Sequence, residues 1–113
     1  KKSVNKHISR ICLHSKKSDK IHLMIIFQKK GYSHPIKKHP LKTKYYFSIL
    51  GSQVIKIANK KNKILKNVKL NKGILMCKIP KNTWHSNQTI SNNSIHLEVI
   101  EGPFNRKKDS IYL

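Results

Sequence analysis

The apolar residues of this chain fall into short stretches separated by turn residues, and this spacing limits the possible folds more than any other feature. Six such stretches have the length of a β-strand: 21–28, 44–50, 53–58, 64–70, 74–79 and 94–100. Glycine, asparagine and serine between them mark turns, as in Gly51-Ser52. No stretch repeats apolar residues with the period of an amphipathic helix. The pattern therefore predicts an all-β sandwich or barrel with almost no helix.

A length of 113 residues is sufficient for one domain. We expect residues 1–18 to form a basic N-terminal arm with the start of the domain, and residues 19–113 to form the barrel. The stretch 94–100 alternates, which puts His96 and Glu98 on one face, either as a surface pair or lining a second sheet. Because apolar faces usually point inward, the predicted core consists of Ile25, Phe27, Ile49, Ile55, Ile57, Leu97 and Val99.

Cysteine content and hydropathy indicate the cellular compartment. The two cysteines, Cys12 and Cys77, form no CxxC pair and are too few for a disulfide-dense scaffold or a zinc ribbon. Free thiols suit a reducing compartment, so we expect a cytoplasmic protein. No apolar run approaches the ~20 residues of a membrane-spanning helix, and no signal-peptide pattern is visible.

The net charge of +21 has two interpretations. It could provide a positive field for a polyanion such as nucleic acid. However, the basic residues are 23 lysines and only 2 arginines, and arginine is the side chain that pairs best with phosphate and guanine. Lysine, asparagine and isoleucine, which all have A/T-rich codons, make up 49 of the 113 residues. Biased base composition is therefore the favoured explanation, and a nucleic-acid partner is not expected.

Two clusters of histidine, lysine and glycine have informative spacing. The first reads GYSHPIKKHPLKTKYYFSILG from Gly31 to Gly51, and the second reads IPKNTWH from Ile79 to His85. In a strand, positions two apart face the same way, so residues 37 and 39 would both point into a barrel. The gaps resemble those of the two cupin motifs, with Lys37, His39 and Lys44 at ligand positions of the first motif. In the second motif Asn82 replaces a glycine and His85 is the histidine.

The rest of the chain resembles the WbuC family of small cupins more specifically. The matching segments are Arg10-Ile-Cys-Leu-His14, Thr83-Trp84-His85, Glu98-Val-Ile-Glu-Gly-Pro-Phe104 and Lys108-Asp109. The resemblance covers about residues 9–112. It implies a single-domain cupin, a small double-stranded β-helix or jelly-roll barrel, in a sugar-binding or sugar-modifying protein linked to bacterial O-antigen and other surface polysaccharides.

The resemblance also implies a divalent metal held by two histidines, a glutamate and a third histidine, but this sequence matches only at His39 and His85. Lys37 and Lys44 occupy the other two positions, and an ammonium group has no lone pair for a metal. Two ligands are a poor set for zinc or iron. No cofactor is therefore firmly expected, and a metal would need His34 or Glu98 to complete its set.

We therefore predict a small-molecule pocket with a degenerate metal site that binds or processes a sugar-related, anionic ligand. Its predicted lining is Lys37, His39, Lys44, Trp84 and His85. One alternative is a metal-dependent cupin enzyme of the isomerase or epimerase kind. Another, favoured by the charge alone, is a nucleic-acid-binding β-domain. The sequence leaves open whether the protein is an enzyme, which residues would be catalytic, and whether it forms a homodimer.

Overall fold

The computed structural model describes residues 2–4 and 7–113, with side chains from residue 7 onward, and these residues form two antiparallel sheets without a helix. The eleven strands are β1 (Lys2–Val4), β2 (Ile8–Cys12), β3 (Ile21–Lys29), β4 (Lys37–Lys38), β5 (Lys44–Leu50), β6 (Gln53–Ala58), β7 (Ile64–Leu70), β8 (Met76–Ile79), β9 (Trp84–Thr89), β10 (Asn93–Glu101) and β11 (Ile111–Tyr112). One sheet has the order β1-β2-β3-β10-β5-β8, and the other has the order β11-β4-β9-β6-β7. The predicted all-β class is confirmed.

The apolar stretches locate most of the long strands. Strands β5, β6 and β7 have the bounds expected from the sequence, and β3 and β10 extend beyond the expected stretches by a residue or two. In the part of the chain that the structure describes, no helix is long and apolar enough to cross a membrane.

The N-terminal segment, expected as a basic arm with the start of the domain, contributes strands to the larger sheet. Strand β2 pairs along its length with β3, from Ile8 opposite Gln28 to Cys12 opposite Met24. Strand β1 pairs in turn with β2. Residues 8–12 are therefore part of the barrel wall. Residues 1, 5 and 6 of the expected arm lie outside the described residues.

The apolar core lies between the sheets and is small. It consists of Tyr46, Ile55, Leu70, Cys77 and Ile79, with Ile57 and Val68 packed against it. Ile55 is fully buried, as the sequence predicted, and Ile57 flanks the cluster.

The other predicted core residues are on the wrong face. On β10 the buried side chains are Ser94, His96 and Glu98, whereas the apolar side chains alternate with them and point outward. Five residues expected inside are affected: Ile25, Phe27, Leu97 and Val99 are half-buried on the outer face, and Ile49 is 56% exposed. The predicted alternation of β10 is present, but its polar residues point inward and its apolar residues point outward, because the barrel interior at this level contains a polar cavity.

A network of neutral polar side chains fills another part of the interior. Asn87 donates to Gln53 at 2.6 Å, and Gln28 donates to Thr89 Oγ1 at 3.0 Å. Thr89 is hydrogen-bonded to Ser94 at 2.8 Å. Buried amides and hydroxyls are tolerated when most of their partners are present. In this network Gln53 Nε2 and Asn87 Oδ1 are buried without a partner among the described residues.

Two turn positions fix the elements around the site. Asn82 has a φ of 61° and its backbone N–H donates to the carbonyl of His39 at 2.8 Å. Asparagine tolerates this left-handed conformation better than most residues, which explains how it replaces the glycine of the motif. At Gly102 a Cβ would overlap the carbonyl oxygen of Asp19. The loop before β3 therefore packs directly on the Gly102 backbone.

Candidate functional site

The main cavity has a volume of about 330 Å³ and lies between the two sheets. Its lining includes Arg10 from β2, Lys37 and His39 on or just after β4, Lys44 from β5 and Glu98 from β10. Four of the five predicted pocket residues, Lys37, His39, Lys44 and His85, therefore come together, with His85 lining a small space that continues this cavity through Lys37, Lys44 and Glu98.

His39 and His85 present the same ring edge to the interior. The Nδ1 of His39 donates to the carbonyl of Asp109 at 2.9 Å, and the Nδ1 of His85 donates to the carbonyl of Thr83 at 2.9 Å. Their ring centroids are 5.3 Å apart. In both rings the buried Nε2 has no hydrogen-bond partner among the described residues. With the proton fixed on Nδ1, each Nε2 carries a lone pair available to a ligand.

Burial keeps these imidazoles neutral. It lowers the pKa of His39 to about 4 and that of His85 to about 3, and the nearby Lys44 ammonium lowers both further. At neutral pH the two rings therefore act as hydrogen-bond acceptors at Nε2.

Lys44, Glu98 and His96 form a buried charged chain. Lys44 Nζ lies 3.1 Å from Glu98 Oε1, and His96 Nε2 donates to Glu98 Oε2 at 2.8 Å. Lys44 also donates to the Tyr46 hydroxyl at 3.3 Å. Burial alone would raise the pKa of Glu98, but Lys44 and the hydrogen bond from His96 hold it well below its ordinary value. Glu98 is thus ionised, and both of its oxygens have partners.

The two lysines of the site are both easier to deprotonate than ordinary lysines. Burial lowers the pKa of Lys44 to about 8, partly offset by the attraction of Glu98. Burial also lowers the pKa of Lys37, which lies opposite His85 in the β4–β9 pairing. The ammonium of Lys37 lies 5.9 Å from the centre of the Tyr112 ring.

Arg10 is a site residue that the sequence reasoning did not single out. Its side chain lines the main cavity and the two smaller ones, and its Nε is buried without a hydrogen-bond partner in the described part of the chain. A signal was available, since Arg10 is one of only two arginines beside 23 lysines. The rarity of arginine in so lysine-rich a chain is a sequence signal for a functional role of Arg10.

The mouth of the cavity contains carboxylates that already have partners. Asp109 pairs with Lys42 at 2.8 Å, and Glu101 accepts from the backbone of Thr43 at 2.9 Å. The rings of His14 and His22 stack at 3.9 Å beside Phe104. The mouth therefore combines flat ring surfaces with carboxylates that already have hydrogen-bond or ion-pair partners. The positive charge lies in the interior.

His34 points into the barrel although it lies outside a regular strand. Its Nε2 donates to Gln28 Oε1 at 3.1 Å, and the residue lines a second cavity of about 230 Å³ together with Arg10 and Lys37. A continuous strand would place His34 and His39 on opposite faces, but β4 begins only at Lys37, so this restriction does not apply to His34. Burial lowers the pKa of His34 to about 4.

Trp84 does not join the other predicted pocket residues. It precedes His85 on β9 and so faces the opposite side of the sheet, where the Lys38 ammonium lies 4.8 Å from its ring centre. Trp84 is not part of the lining of the three cavities described above.

The described residues do not fit a metal ion. No group of three or more histidine, cysteine, aspartate or glutamate side chains with metal-binding geometry occurs among residues 7–113. The oxygens of Glu98 are taken by Lys44 and His96, and the Nε2 of His34 is taken by Gln28. The ring nitrogens left without a partner among the described residues are Nε2 of His39, Nε2 of His85 and Nδ1 of His96, and the first two face two lysines.

Comparison with known proteins identifies the fold. No protein-family model and no curated protein sequence matches the chain. Among solved structures, the capsular polysaccharide assembling protein CapF of Staphylococcus aureus superposes with a TM-score of 0.86 at 15% identity, over 99% of this chain and 33% of that one. Oxalate decarboxylase of Lactobacillus farciminis, solved as a formate complex, superposes with a TM-score of 0.78 at 20% identity, over 100% of this chain and 33% of that one.

The oxalate decarboxylase of Bacillus subtilis gives a TM-score of 0.78 at 17% identity, over 100% of this chain and 30% of that one. The chain thus spans about a third of the length of these proteins. At such identities the likeness concerns the fold alone. Together with the two antiparallel sheets and the interior cavity, it establishes that this chain has a cupin fold.

Proposed function

We propose that this chain is a cupin of the WbuC type that binds a small, anionic, sugar-related ligand in its barrel during bacterial surface-polysaccharide biosynthesis in the cytoplasm. The observation that carries the proposal is the charge of the interior. Three cationic side chains, Arg10, Lys37 and Lys44, line one cavity whose only deeply buried carboxylate among the described residues is Glu98.

The charge balance favours an anion. Glu98 is paired with the Lys44 ammonium and accepts a hydrogen bond from His96, which leaves Arg10 and Lys37 without a salt-bridge partner among residues 7–113. Charged groups withdrawn from water need such a partner. A phosphate or carboxylate would supply it through charge-assisted hydrogen bonds, and the guanidinium of Arg10 suits a two-point contact.

The histidines favour hydroxyl groups on the same ligand. The free Nε2 lone pairs of His39 and His85 accept hydrogen bonds, and sugar hydroxyls donate them. A sugar phosphate or a sugar acid carries both an anionic group and hydroxyls. The cavity volume of about 330 Å³ suits one such small molecule.

The biological setting rests on similarity. The motifs that resemble those of WbuC cupins support a role in O-antigen biosynthesis, and one structural neighbour, CapF, is a capsular polysaccharide assembling protein. The free thiols of Cys12 and Cys77 agree with a reducing cytoplasm.

Lys44 is the group we assign to proton exchange with the ligand. With a pKa of about 8, a fraction of its amine is neutral near neutral pH, and the ion pair with Glu98 orients it. Incubation of the protein with UDP-glucose, followed by proton NMR, distinguishes turnover from binding alone.

Calorimetric titration with inorganic phosphate, glucose 1-phosphate and UDP-glucose tests binding, with glucose as the neutral control. We expect the phosphorylated probes to bind and to stabilise the protein by RT ln(1 + [L]/Kd), about 2.7 kcal/mol at a hundredfold excess over Kd. Lys37→Met and Arg10→Met should each weaken binding at least tenfold. The chain provides matched controls, since Lys38 lies outside the barrel and Arg106 is exposed.

Equal binding of glucose and glucose 1-phosphate would contradict the anionic ligand. Equal losses in Lys37→Met and Lys38→Met would show that only the overall charge matters. Failure of all three phosphorylated probes to bind would overturn the proposal.

A further inference from the structure

The outer face of the six-stranded sheet is apolar across five of its strands. One row of cross-strand neighbours runs Ile11, Ile25, Leu97, Phe47, Met76 over β2, β3, β10, β5 and β8. Both ends of the row are open to solvent, with Ile11 48% and Met76 52% exposed. Five adjacent strands span roughly 19 Å at the usual strand spacing. A continuous apolar strip therefore crosses five of the six strands, and it ends at β1, where Lys2 pairs with Ile11.

Neighbouring rows widen this strip into a surface. Leu23, Val99 and Tyr45 form the next row, and Phe27 pairs with Ile95 on the other side. Lysines lie at the margins of this surface, at Lys29, at Lys78 opposite Tyr45, and at Lys2 of β1, which pairs with Ile11. In a chain with 23 lysines, a charge-free centre of this size is unexpected if the face is in contact with water.

The five-stranded sheet provides an internal comparison. Its outer face carries Lys38, Lys56 and Lys69, and Lys56 donates to Gln88 at 3.0 Å. Biased base composition acts on both sheets alike. It cannot explain why lysine is common on one outer face and absent from the centre of the other.

The apolar face is large enough for a stable interface. Its ten central side chains are continued by Leu13, Ile21 and Ile49, each more than half exposed. With side chains of about 150–200 Å² each, the exposed portions amount to roughly 600–800 Å². The largest apolar patch on a typical monomer is about 300–600 Å², and each partner of a standard interface contributes about 800 Å².

We propose that this face binds the same face of a second copy of the chain, giving a two-fold symmetric dimer. Its extent matches one side of a standard interface, and two flat sheet faces pack well about 10 Å apart. An acidic partner or an anionic membrane would be attracted by lysines, and the lysines lie elsewhere. Because each copy carries a net charge of +21, the two copies repel at a distance and salt screens that repulsion.

Sedimentation equilibrium from low to high micromolar protein tests the dimer. We expect a species with twice the chain mass of 13.2 kDa, with tighter association at high than at low salt. Ile11→Lys and Met76→Lys place charges at half-exposed ends of the first row, where folding tolerates them. Each should weaken the dimer roughly tenfold or more.

Leu65→Lys is the matched control, because Leu65 is 61% exposed on β7 of the other sheet. It should leave the dimer intact, and circular dichroism should show an unchanged β spectrum for all three variants. A monomer at every concentration and salt would overturn the proposal and leave the face for a different partner. A dimer that survives both Ile11→Lys and Met76→Lys would also overturn it.

Discussion

Lys44 and Glu98 form an ion pair inside the barrel, with 3.1 Å between Nζ and Oε1 and side chains that are only 4% and 5% exposed. Lys44 comes from β5 and Glu98 from the adjacent β10, so the pair lies between neighbouring strands of one sheet. It neutralises the one deeply buried acid of the cavity among the described residues, which leaves Arg10 and Lys37 to set the sign of the site.

Removing one partner of this pair should be costly. Lys44→Met or Glu98→Gln leaves the other charge buried without a partner, and losses of about 3–5 kcal/mol in the free energy of unfolding are typical of such changes. The double variant should lose less than the sum of the two single losses, because no uncompensated charge remains. Urea unfolding measures all three. If each single variant lost less than about 1 kcal/mol in the free energy of unfolding, water would be able to reach and solvate the remaining charge.

Stability should fall on mild acidification. The pKa values of His34, His39 and His85 are about 4, 4 and 3 in the folded protein, below the ordinary 6.5. Between these values the unfolded chain binds more protons, so the free energy of unfolding falls by up to roughly 1.4 kcal/mol per pH unit and per histidine as the pH drops from about 6.5 towards 4.

Urea unfolding at a series of pH values from neutral to mildly acidic measures this slope. His39→Gln and His85→Gln should each reduce it, and His7→Gln, an exposed position, is the matched control. A stability that does not change over that range would contradict the neutral, buried state of the rings.

Gly102→Ala should destabilise the protein and distort the cavity mouth. A methyl group there would overlap the Asp19 carbonyl oxygen and lie 2.8 Å from the His22 ring. The loop would have to move, at a cost of roughly 1–3 kcal/mol or more. Gly73→Ala is the control, since its nearest contact would be at 3.4 Å. Thermal unfolding compares the two, and equal melting temperatures would show that the loop adapts freely.

Two substitutions should create a metal site. Lys37→His with Lys44→Glu removes two ammonium groups and adds an imidazole and a carboxylate beside His39 and His85, a set that suits zinc. We expect about one zinc per chain by elemental analysis, loss of the phosphate effect, and little metal in the unmodified protein. Lys38→His with Lys69→Glu, both on the outer face of the five-stranded sheet, is the control. A full equivalent of zinc, iron or nickel in the unmodified protein would refute the anion site.

The sequence predicted the fold class and most long strands because strand-length apolar stretches and turn residues are local signals. It missed β1 and β2 within the expected N-terminal arm, β4 and β11, which have two residues each, and β9, which reads Trp-His-Ser-Asn-Gln-Thr. A polar strand of this kind is recognisable only when the barrel interior is known to be polar. For the same reason, the buried and exposed faces of β10 predicted from the sequence are the wrong way round.

The site was predicted in part for a related reason. His39 and His85 were predicted from the spacing of the two motifs, and this spacing can be seen directly in the sequence. Arg10 is distant from Lys37 in the sequence, and only the pairing of β2 with β3 brings its side chain to the cavity. Trp84 was assigned to the pocket through its neighbour His85, although adjacent residues in a strand face opposite sides.

The reversed faces of the six-stranded sheet also have a consequence for folding. An apolar face in water adds nothing to the free energy of folding until it is covered, and the interior core of five side chains is small. In the proposed dimer, folding and association are linked equilibria, so that the melting temperature should rise with protein concentration. The polar interior that creates a ligand site would then make the stability of each molecule depend on how many others are present.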